Sequence, residues 1–333
     1  MDFDLNEFLT KQMDMLSSMT PEELKKYSME MEQQVLDQMG MTREEMLEKD
    51  REYRELAYAK PSEGDYSEEI AEQLKKYARN AVFVRYDKDK PISIGCSKMG
   101  GKPHLPKDTE WFNDDSGEPL TFLMQLNFAE ITPYDKEGLF PKTGILYFFY
   151  NISAEPWEWD DGENNYKVFY YNGDISELEP ADFPGECADE YYYGVADENC
   201  LLDECGLSFF ESVSYPDFDE YASLTGDVPD DSDPLAMEAE YLDFEATVRE
   251  LCGYNPQEYS DKYHILGGYS VATQNSPSEE FDEDCIQLLQ MTWYESEKCG
   301  FMFGDGGKLY YYIKRSDLEA HNFDNVKFIL QCS

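Results

Sequence analysis

The sequence contains 333 residues, of which 41% are hydrophobic and 15% aromatic, so the chain is long and apolar enough to bury a sizeable core. It carries 72 acidic and only 27 basic residues, a formal net charge of −45. A surface with this charge repels nucleic-acid phosphates and anionic lipids, so we expect neither nucleic acid nor a membrane among the partners. The charge is compatible instead with a basic protein partner.

The first residues, MDFDLNEF, are acidic, and no apolar stretch with the length of a signal peptide or a membrane span follows them. We therefore expect a cytoplasmic protein. Eight cysteines are scattered along the chain, and the closest pair, Cys200 and Cys205, has no second pair and no histidine nearby. This pattern favours reduced thiols over a zinc site, and no motif indicates a cofactor.

Residues 1–60 are predicted to form a helical amino-terminal extension. The capping-box sequences MTPEEL (19–24) and MTREEM (41–46) each begin an amphipathic segment. Nine of the fourteen methionines lie in residues 1–46, and flexible thioethers suit an adaptable contact surface. The extension either packs on the rest of the protein or acts as a docking arm, and the sequence leaves both open. Residues 60–64 have the composition of a linker.

After the linker the pattern changes from helix to strand. Residues 66–79 place Ile70, Leu74 and Tyr77 on one helical face. The apolar stretches that follow alternate with clusters of Gly, Pro, Asp and Asn, which is typical of short antiparallel strands. The predicted strands cover residues 81–86, 92–97, 120–128, 144–151 and 166–173.

The middle of the chain, about residues 155–255, is predicted to be an acidic but folded insertion. Residues 155–245 contain 28 Asp and Glu against a single basic residue, Lys167. The segment also contains a predicted strand at 207–215 and a helix that begins at Asp233-Pro234 and ends before Gly253. We predict that this region contacts a partner. The candidate contacts are Asp230, Asp231, Asp233, Trp157 and Trp159.

Two parts of the chain resemble each other. TFLMQLNF at 121–128 is similar to IQLLQMTWY at 286–294, and TGILYFFY at 143–150 is similar to GGKLYYYI at 306–313. The pair Gly100-Gly101 likewise has a counterpart in Gly267-Gly268. We therefore predict two related β-rich halves, about residues 81–152 and 262–332, formed by internal duplication.

Strand alternation assigns faces within these segments. In the first segment one face is predicted to carry Met124, Leu126 and Phe128, and the other to carry Leu123, Gln125 and Asn127. In the second segment the matching faces are Leu289, Met291 and Trp293, and Leu288, Gln290 and Thr292. Each half is thus expected to place one glutamine on a mixed face.

The stretch SKMGGKPHLP, residues 97–106, combines glycines and a lysine, as phosphate-binding loops do. Such a loop needs the pattern G-x-x-x-x-G-K-[ST] and a helix that begins at the anion. Here Gly100-Gly101-Lys102 is followed by Pro103 and Pro106, and the counterpart GGYSVATQ has no lysine. The glycines are instead predicted to form tight turns that bring backbone close to backbone.

Several motifs in the same order resemble the YwqG-like family, a bacterial domain of unknown function. They are SKMGGKPHLP with the following Glu110-Trp111, PLTFLMQLNFAEI, LFPKTGILYFFYN, HILGGYSVATQ, LLQMTWYESEKCGFMFGDGGKLYYYI and NFDNVKFILQC. The resemblance covers about residues 66–332, and we assign residues 66–333 to this domain. It implies an α+β fold with mixed sheets in two related halves and no established catalysis. Some members look like immunity proteins of toxin systems or stress-related accessory proteins, which is an association rather than a mechanism.

The chain departs from the family pattern at two places. Phe112 stands where a proline often follows the tryptophan, and Phe303 stands where a tryptophan often precedes Gly304-Asp305. Both replacements are apolar, so the resemblance still implies the same fold.

A small-molecule or active site is predicted, as an alternative to partner binding, in a pocket between the two halves. Its candidate residues are Gln125, Gln290, Asp305 and His104. His264 precedes the second glycine pair and could approach His104, and paired histidines suit acid–base work. Asp305 equally suits a plain turn, because Asp accepts backbone hydrogen bonds there. The acidic run at 160–165 lacks the ligand spacing of a calcium loop, so no metal is expected.

The sequence as a whole favours a non-enzymatic, acidic interaction protein. It would bind or neutralise a basic protein partner such as a toxin, because opposite charge accelerates association and disfavours wrong partners. The alternative is a small-ligand-binding protein or an enzyme with the pocket between the two halves.

Overall fold

The computed structural model describes residues 64–152, 154–158, 164–184, 202–226, 234–281, 284–293 and 303–332. All of them belong to one compact unit that begins at Gly64. The predicted helices of residues 1–60 lie outside the described residues, as do the candidate contacts Asp230, Asp231, Asp233 and Trp159.

The described elements are mostly short strands. The helices are α1 (Glu68–Leu74), α2 (Phe128–Ile131), α3 (Phe218–Thr225), α4 (Pro234–Cys252), α5 (Pro256–Ser260) and α6 (Arg315–Glu319). The strands are β1 (Arg79–Asp87), β2 (Lys98–Met99), β3 (His104–Pro106), β4 (Thr121–Asn127), β5 (Ile145–Tyr150), β6 (Tyr166–Tyr171), β7 (Leu178–Pro180), β8 (Cys205–Ser214), β9 (His264–Gly267), β10 (Cys285–Thr292), β11 (Lys308–Lys314) and β12 (Lys327–Gln331). Short 3-10 turns cover Lys75–Tyr77, Ile175–Glu177, Pro277–Glu280 and Phe323–Asn325.

Ten of the strands form a single sheet in the order β12-β11-β10-β9-β1-β8-β2-β4-β5-β6, and β3 pairs with β7 in a small second sheet. Every pairing between the described strands is antiparallel. The long central strand β1 connects the two sides of the sheet. It pairs with β8 from Arg79 opposite Ser214 onwards, and with β9 from Ala81 opposite Gly267 onwards.

The predicted α+β fold with mixed sheets in two duplicated halves is wrong. The described residues are mostly β, and one continuous antiparallel sheet contains the strands of both predicted halves. No boundary separates halves in this sheet, because β9 of the second predicted half pairs directly with β1 of the first. The other neighbour of β1 is β8, which comes from the predicted insertion.

The large sheet curls into a half-barrel, so that its two ends approach each other. Phe148 of β5 packs against Tyr311 of β11, with ring centroids 5.0 Å apart. The ring of Tyr166, on the edge strand β6, packs against Phe328 of β12 at 4.7 Å, and its hydroxyl donates a 2.7 Å hydrogen bond to the carbonyl oxygen of Val326. The main hydrophobic core fills the inside of this curl.

The outer face of the sheet is covered in sections. The β3–β7 sheet covers β4 and β5, with Leu105 and Leu178 in the contact. A layer of helices, α1, α3 and α4, packs around Leu74, Phe244 and Val248. This helical layer positions most of the groups discussed below.

Most of the predicted strands are confirmed, with ends shifted by at most two residues. The exception is residues 92–97, which form a turn around Gly95 at φ +77° and contain no strand. The predicted helix from residue 234 to Gly253 is confirmed as α4, and Gly253 follows it at φ +73°. The helix predicted for residues 66–79 is shorter, since Arg79 already belongs to β1.

The predicted strand faces need one correction each. Met124, Leu126 and Phe128 face the main core as predicted, and Gln125 lies on the opposite face among buried polar groups. Leu123 joins the main core, because the register of β4 shifts between Phe122 and Met124. Leu288 joins the main core in the same way, since the register of β10 shifts between Gln287 and Leu289.

Candidate functional site

His104 and Gln125, two of the predicted site residues, contact each other in a buried polar network. The Gln125 Oε1 atom accepts the His104 backbone N–H at 2.9 Å, and its Nε2 donates to the Cys96 carbonyl oxygen at 2.7 Å. The His104 Nδ1 atom accepts the Gly95 backbone N–H at 3.1 Å. Burial, with the nearby Lys98 charge, lowers the pKa of His104 to about 4, so the imidazole is neutral at pH 7.

Gln290 and His264 lie in a different part of the sheet. The Gln290 Oε1 atom accepts the Val271 backbone N–H at 2.8 Å, and the His264 Nδ1 atom accepts the Thr292 backbone N–H at 3.1 Å. Both side chains are fully buried, and burial lowers the pKa of His264 to about 3. Four strands, β9, β1, β8 and β2, separate β10 from β4, so Gln290 does not meet Gln125.

Asp305 is exposed at the turn between Phe303 and Gly307. The structure therefore brings Gln125 and His104 together but places Gln290 and Asp305 elsewhere. Gln125, His104 and Gln290 hydrogen-bond to backbone groups of buried loops, which would otherwise lack a partner. Of the candidate partner contacts, Trp157 is 46% exposed beside Ile329 of β12.

The glycines of the GGK stretch form turns, as predicted from the sequence. Gly100 and Gly101 have φ values of +60° and +62°, and the Gly101 N–H donates to the Leu202 carbonyl oxygen at 2.8 Å. A Cβ atom on Gly100 would lie 2.4 Å from the Asp203 carbonyl oxygen. The close approach of two backbones thus requires glycine here. Lys102 forms an ion pair with Asp182 at the surface.

An acidic surface covers the helical layer formed by α1, α3 and α4. The helix α1 is fixed to α4 by two hydrogen bonds, from the Asp65 N–H to Asp243 at 2.7 Å and from the Ser67 N–H to Thr247 at 3.0 Å. Exposed carboxylates project from all three helices. They are Glu68, Glu69 and Glu72 of α1, Asp219 of α3, and Glu240 and Glu250 of α4. We call this set the acidic helical surface.

Many of the described lysines form ion pairs with neighbouring carboxylates. Nine of them lie within ion-pair distance of an Asp or Glu oxygen. These lysines are Lys75, Lys90, Lys98, Lys102, Lys136, Lys167, Lys262, Lys308 and Lys314. Two of the nine, Lys98 and Lys308, have side chains at most 2% exposed. In the whole sequence acidic residues exceed basic ones by 45.

A cleft of about 140 Å³ opens where α3 and α4 meet the sheet. We call it the acidic-aromatic cleft. Carboxylates of Asp217, Asp219 and Glu245 contribute to its wall. Aromatic rings make up much of the rest, namely Phe83, Tyr215, Phe218, Tyr241, Tyr254 and Tyr269. Among the described residues that line it, none is basic.

Asp217 is the most unusual group in this cleft. Its Oδ1 atom caps α3 by accepting the Glu220 backbone N–H at 2.8 Å, but its Oδ2 atom is buried and has no hydrogen-bond partner among the described residues. Burial raises the pKa of Asp217 to about 6, and the backbone hydrogen bond and the neighbouring Ser276 hydroxyl offset only part of this rise.

Two further carboxyls beside Asp217 behave in the same way. Burial, together with the Asp217 charge, raises the pKa of Glu220 to about 7, and burial also raises the pKa of Glu245. The charges of Arg79 and Arg249 act in the opposite direction but do not cancel these shifts. In and beside the cleft there are therefore carboxyls whose charge nearby cations compensate only in part.

Sequence reasoning did not identify this cleft. A signal was present in α4, where Tyr241, Glu245, Val248 and Cys252 recur at steps of four, three and four and line the cleft together. The apolar residues of this helix at helical spacing, Met237, Tyr241, Phe244, Val248 and Leu251, do not include Glu245. A second signal was Asp217, an N-cap aspartate directly before α3.

Metal-ligating residues do not cluster in the described part of the chain, where no three His, Cys, Asp or Glu side chains are placed to hold a metal ion. The described cysteines are free thiols, and Cys96, Cys205 and Cys332 are buried. Among the described helices, none has both the length and the apolar character needed to cross a membrane.

The fold and the site together define a mostly-β protein with one curled antiparallel sheet and an acidic helical layer on its outer face. The chain belongs to the family of DUF1963, a domain of unknown function whose family model matches residues 97–332. No curated protein matches the chain.

Proposed function

We propose that the protein binds a basic protein partner and that the acidic helical surface is the contact surface. The observation that carries this proposal is the pairing of nine lysines with carboxylates. These pairs engage nine of the 27 basic residues within the protein itself, and the net charge of −45 acts on surrounding molecules.

The acidic helical surface suits this role because its carboxylates stand on connected helices. Hydrogen bonds from Asp65 and Ser67 hold α1 against α4, so Glu69 and Glu240 keep their places in the layer. The exposed apolar side chains Met237 and Tyr241 of α4 lie in the same layer and add area that a partner can cover. Fixed charges of one sign steer a basic partner and raise its association rate.

The specific kind of basic partner is part of this proposal as well. The resemblance to the YwqG-like family and its toxin-immunity association support neutralisation of a basic toxin as the specific form of partner binding. Under that form the protein is an inhibitor and has no catalytic step of its own.

The test is affinity capture from the native cell at low salt, followed by kinetics with the purified partner at 50 and 500 mM salt. We expect a basic partner whose association rate constant falls by about tenfold or more with the added salt. A captured partner without net positive charge, or an association rate that salt does not change, contradicts the proposal.

Matched variants locate the contact surface. One variant neutralises Glu69, Asp219, Glu240 and Glu250 by amide substitution, and the control neutralises the exposed Glu110, Glu118, Asp305 and Glu319. Both variants change the net charge by the same amount. We expect the first to slow association several-fold more than the second, and equal effects would exclude the acidic helical surface as the contact.

A further inference from the structure

The acidic-aromatic cleft contains an unpaired acceptor that the fold does not explain. Capping of α3 accounts for the Oδ1 atom of Asp217 but leaves its Oδ2 atom buried without a hydrogen-bond partner among the described residues. A buried acceptor without a donor costs free energy, and native proteins retain few of them. The Ser276 hydroxyl beside Asp217 compensates its buried charge only in part, so a positively charged ligand would stabilise it further.

The walls of the cleft indicate the charge of that ligand. Asp219 and Glu245 line the cleft together with Asp217, and no basic side chain is among the described lining residues. An anionic ligand would meet only like charges there. A cation would restore the balance that these carboxylates lack.

The rings indicate the same class of ligand. Phe218 packs edge-on against Tyr241 with ring centroids 5.6 Å apart, and both rings line the cleft. Aromatic faces attract ammonium and guanidinium groups. The protein already uses this contact elsewhere, since the Arg79 guanidinium lies 4.0 Å from the ring centroid of Tyr269.

The volume limits the size of the ligand. At about 140 Å³ the cleft is smaller than the roughly 300–1,000 Å³ typical of sites for drug-sized molecules. It suits one amine-bearing chain rather than a nucleotide or a cofactor.

We propose that the acidic-aromatic cleft is a binding site for an organic cation, an alkylammonium or guanidinium group that pairs with the carboxylates of Asp217, Asp219 and Glu245 and lies against the aromatic rings. The same chemistry comes from a free small amine or from a lysine or arginine side chain of a protein. The inference goes beyond the proposed function, because a free amine occupies the cleft without any protein partner.

Binding of a cation must be coupled to proton release. The pKa of Asp217 is raised to about 6 and that of Glu220 to about 7, so both carboxyls are partly protonated near neutral pH, and a bound cation favours their charged forms. Affinity should therefore rise with pH between about 5 and 7.5. Several other charged or titratable groups face the same carboxyls. They are Asp219, Glu245, Arg249, Arg79, Tyr241, Tyr269, Tyr310 and Tyr312.

The test uses the full chain, isothermal titration calorimetry and two probes, Nα-acetyl-lysine amide and its neutral counterpart acetylated on the side-chain nitrogen. We expect the charged probe to bind at least tenfold more tightly than the neutral one, and more tightly at pH 7.5 than at pH 5.5. Equal affinity for the two probes, or no heat from the charged probe at 50 mM, overturns the proposal.

Substitutions then place the bound cation. Asp217→Asn keeps an Oδ1 cap for α3 and removes the charge, and it should weaken binding of the charged probe at least tenfold. The matched control is Asp174→Asn, because Asp174 is also an N-cap aspartate and lies outside the cleft. If Asp217→Asn does not fold, Glu245→Gln replaces it. Unchanged affinity in a folded cleft variant overturns the assignment of the site.

The source of the cation is decided by a third probe, a basic peptide with one central lysine. A peptide that binds at least tenfold more tightly than the amino-acid probe supports a protein side chain, and equal affinity supports a free amine. Failure of the proposed function gives a different result, since the charged probe then still binds while association with a basic protein is insensitive to salt.

Discussion

The ammonium nitrogen of Lys98 lies 2.6 Å from a carboxylate oxygen of Glu204, and the lysine is fully buried whereas the glutamate is 41% exposed. Lys98 also donates to the Gly100 carbonyl oxygen at 2.8 Å. Burial lowers the pKa of Lys98, but the hydrogen bond and charge of Glu204 act against this shift. The partly exposed glutamate thus compensates a cation that has no access to water.

We predict that Glu204→Gln destabilises the protein more than Lys98→Met. The glutamine leaves a buried charge without its counter-ion, at a cost of about 3 kcal/mol, whereas methionine removes the charge itself. Urea unfolding at pH 7 measures both. Glu72→Gln is the control, because the Lys75–Glu72 pair has the same 2.6 Å separation but is exposed, and its loss should cost much less. An equal loss in Glu204→Gln and Glu72→Gln would contradict the role of burial.

Gly100→Ala is predicted to be severely destabilising. Alanine would adopt a positive φ and would place its Cβ atom 2.4 Å from the backbone oxygen of Asp203. Gly138→Ala is the matched control, since Gly138 has a similar φ of +64° and an added Cβ atom there would meet nothing within 4 Å. We expect about 1 kcal/mol for the control, from backbone strain alone, and about 3 kcal/mol or more for Gly100→Ala in the free energy of unfolding. Similar costs would show that φ, and not the close backbone approach, requires the glycine.

His264 is predicted to make the protein sensitive to mild acid. Its pKa is lowered to about 3, so the folded state binds fewer protons than the unfolded state between pH 6.5 and 3. Stability is therefore fully present above about pH 6.5 and falls as the pH falls, by at most about 1.4 kcal/mol per pH unit for this one proton. Urea unfolding at pH 7, 6 and 5 measures the slope.

The variant His264→Asn keeps an acceptor for the Thr292 N–H and has no titration. Its overall stability is expected to drop, but its pH slope should be shallower than that of the wild type. The slope should not vanish, because the lowered pKa of His104 acts in the same direction. An unchanged slope would mean that His264 is not a source of the acid sensitivity.

Asp217 is predicted to give the stability a pH dependence of the opposite sign to that of His264. Its pKa is raised to about 6, so the folded state binds more protons than the unfolded state between about pH 4 and 6, and the stability from this group is lost as the pH rises. Asp217→Asn should therefore unfold at a higher urea concentration than the wild type at pH 7.5. Asp174→Asn should not, because backbone and side-chain hydrogen bonds from Ser176 lower the pKa of Asp174. A wild type more stable than Asp217→Asn at pH 7.5 would contradict the prediction.

The sequence allows most individual strands to be predicted, but not their arrangement in one sheet. Alternation and turn residues are local, so the stretches at β4 and β5 are recognisable. Strand pairing is not local. Arg79 of β1 lies opposite Ser214 of β8, and neither stretch of sequence indicates which strand it will pair with. The similarity between residues 121–128 and 286–294 suggests two halves, but both segments form strands of the same sheet.

The sequence predicts properties of individual site residues, but not which of these residues meet in the fold. Gln125 stands out as a polar residue in an apolar strand, and it is buried and hydrogen-bonded. Tyr241 and Glu245 of α4 lie on the face that lines the cleft, but the opposite wall comes from Asp217 and Tyr269, which only the tertiary fold brings there. Helical spacing shows which residues share a face and not what that face meets.

The β-bridge between Glu158 and the edge strand β12 has a consequence for self-association. Ile329 pairs with Glu158, and the Leu330 N–H donates to the Trp157 carbonyl oxygen at 2.7 Å. These contacts occupy backbone groups that would otherwise be open to a strand from a neighbouring molecule. Concentrated solutions should accordingly resist polymer growth through this border, and shortening the 155–158 stretch should promote it.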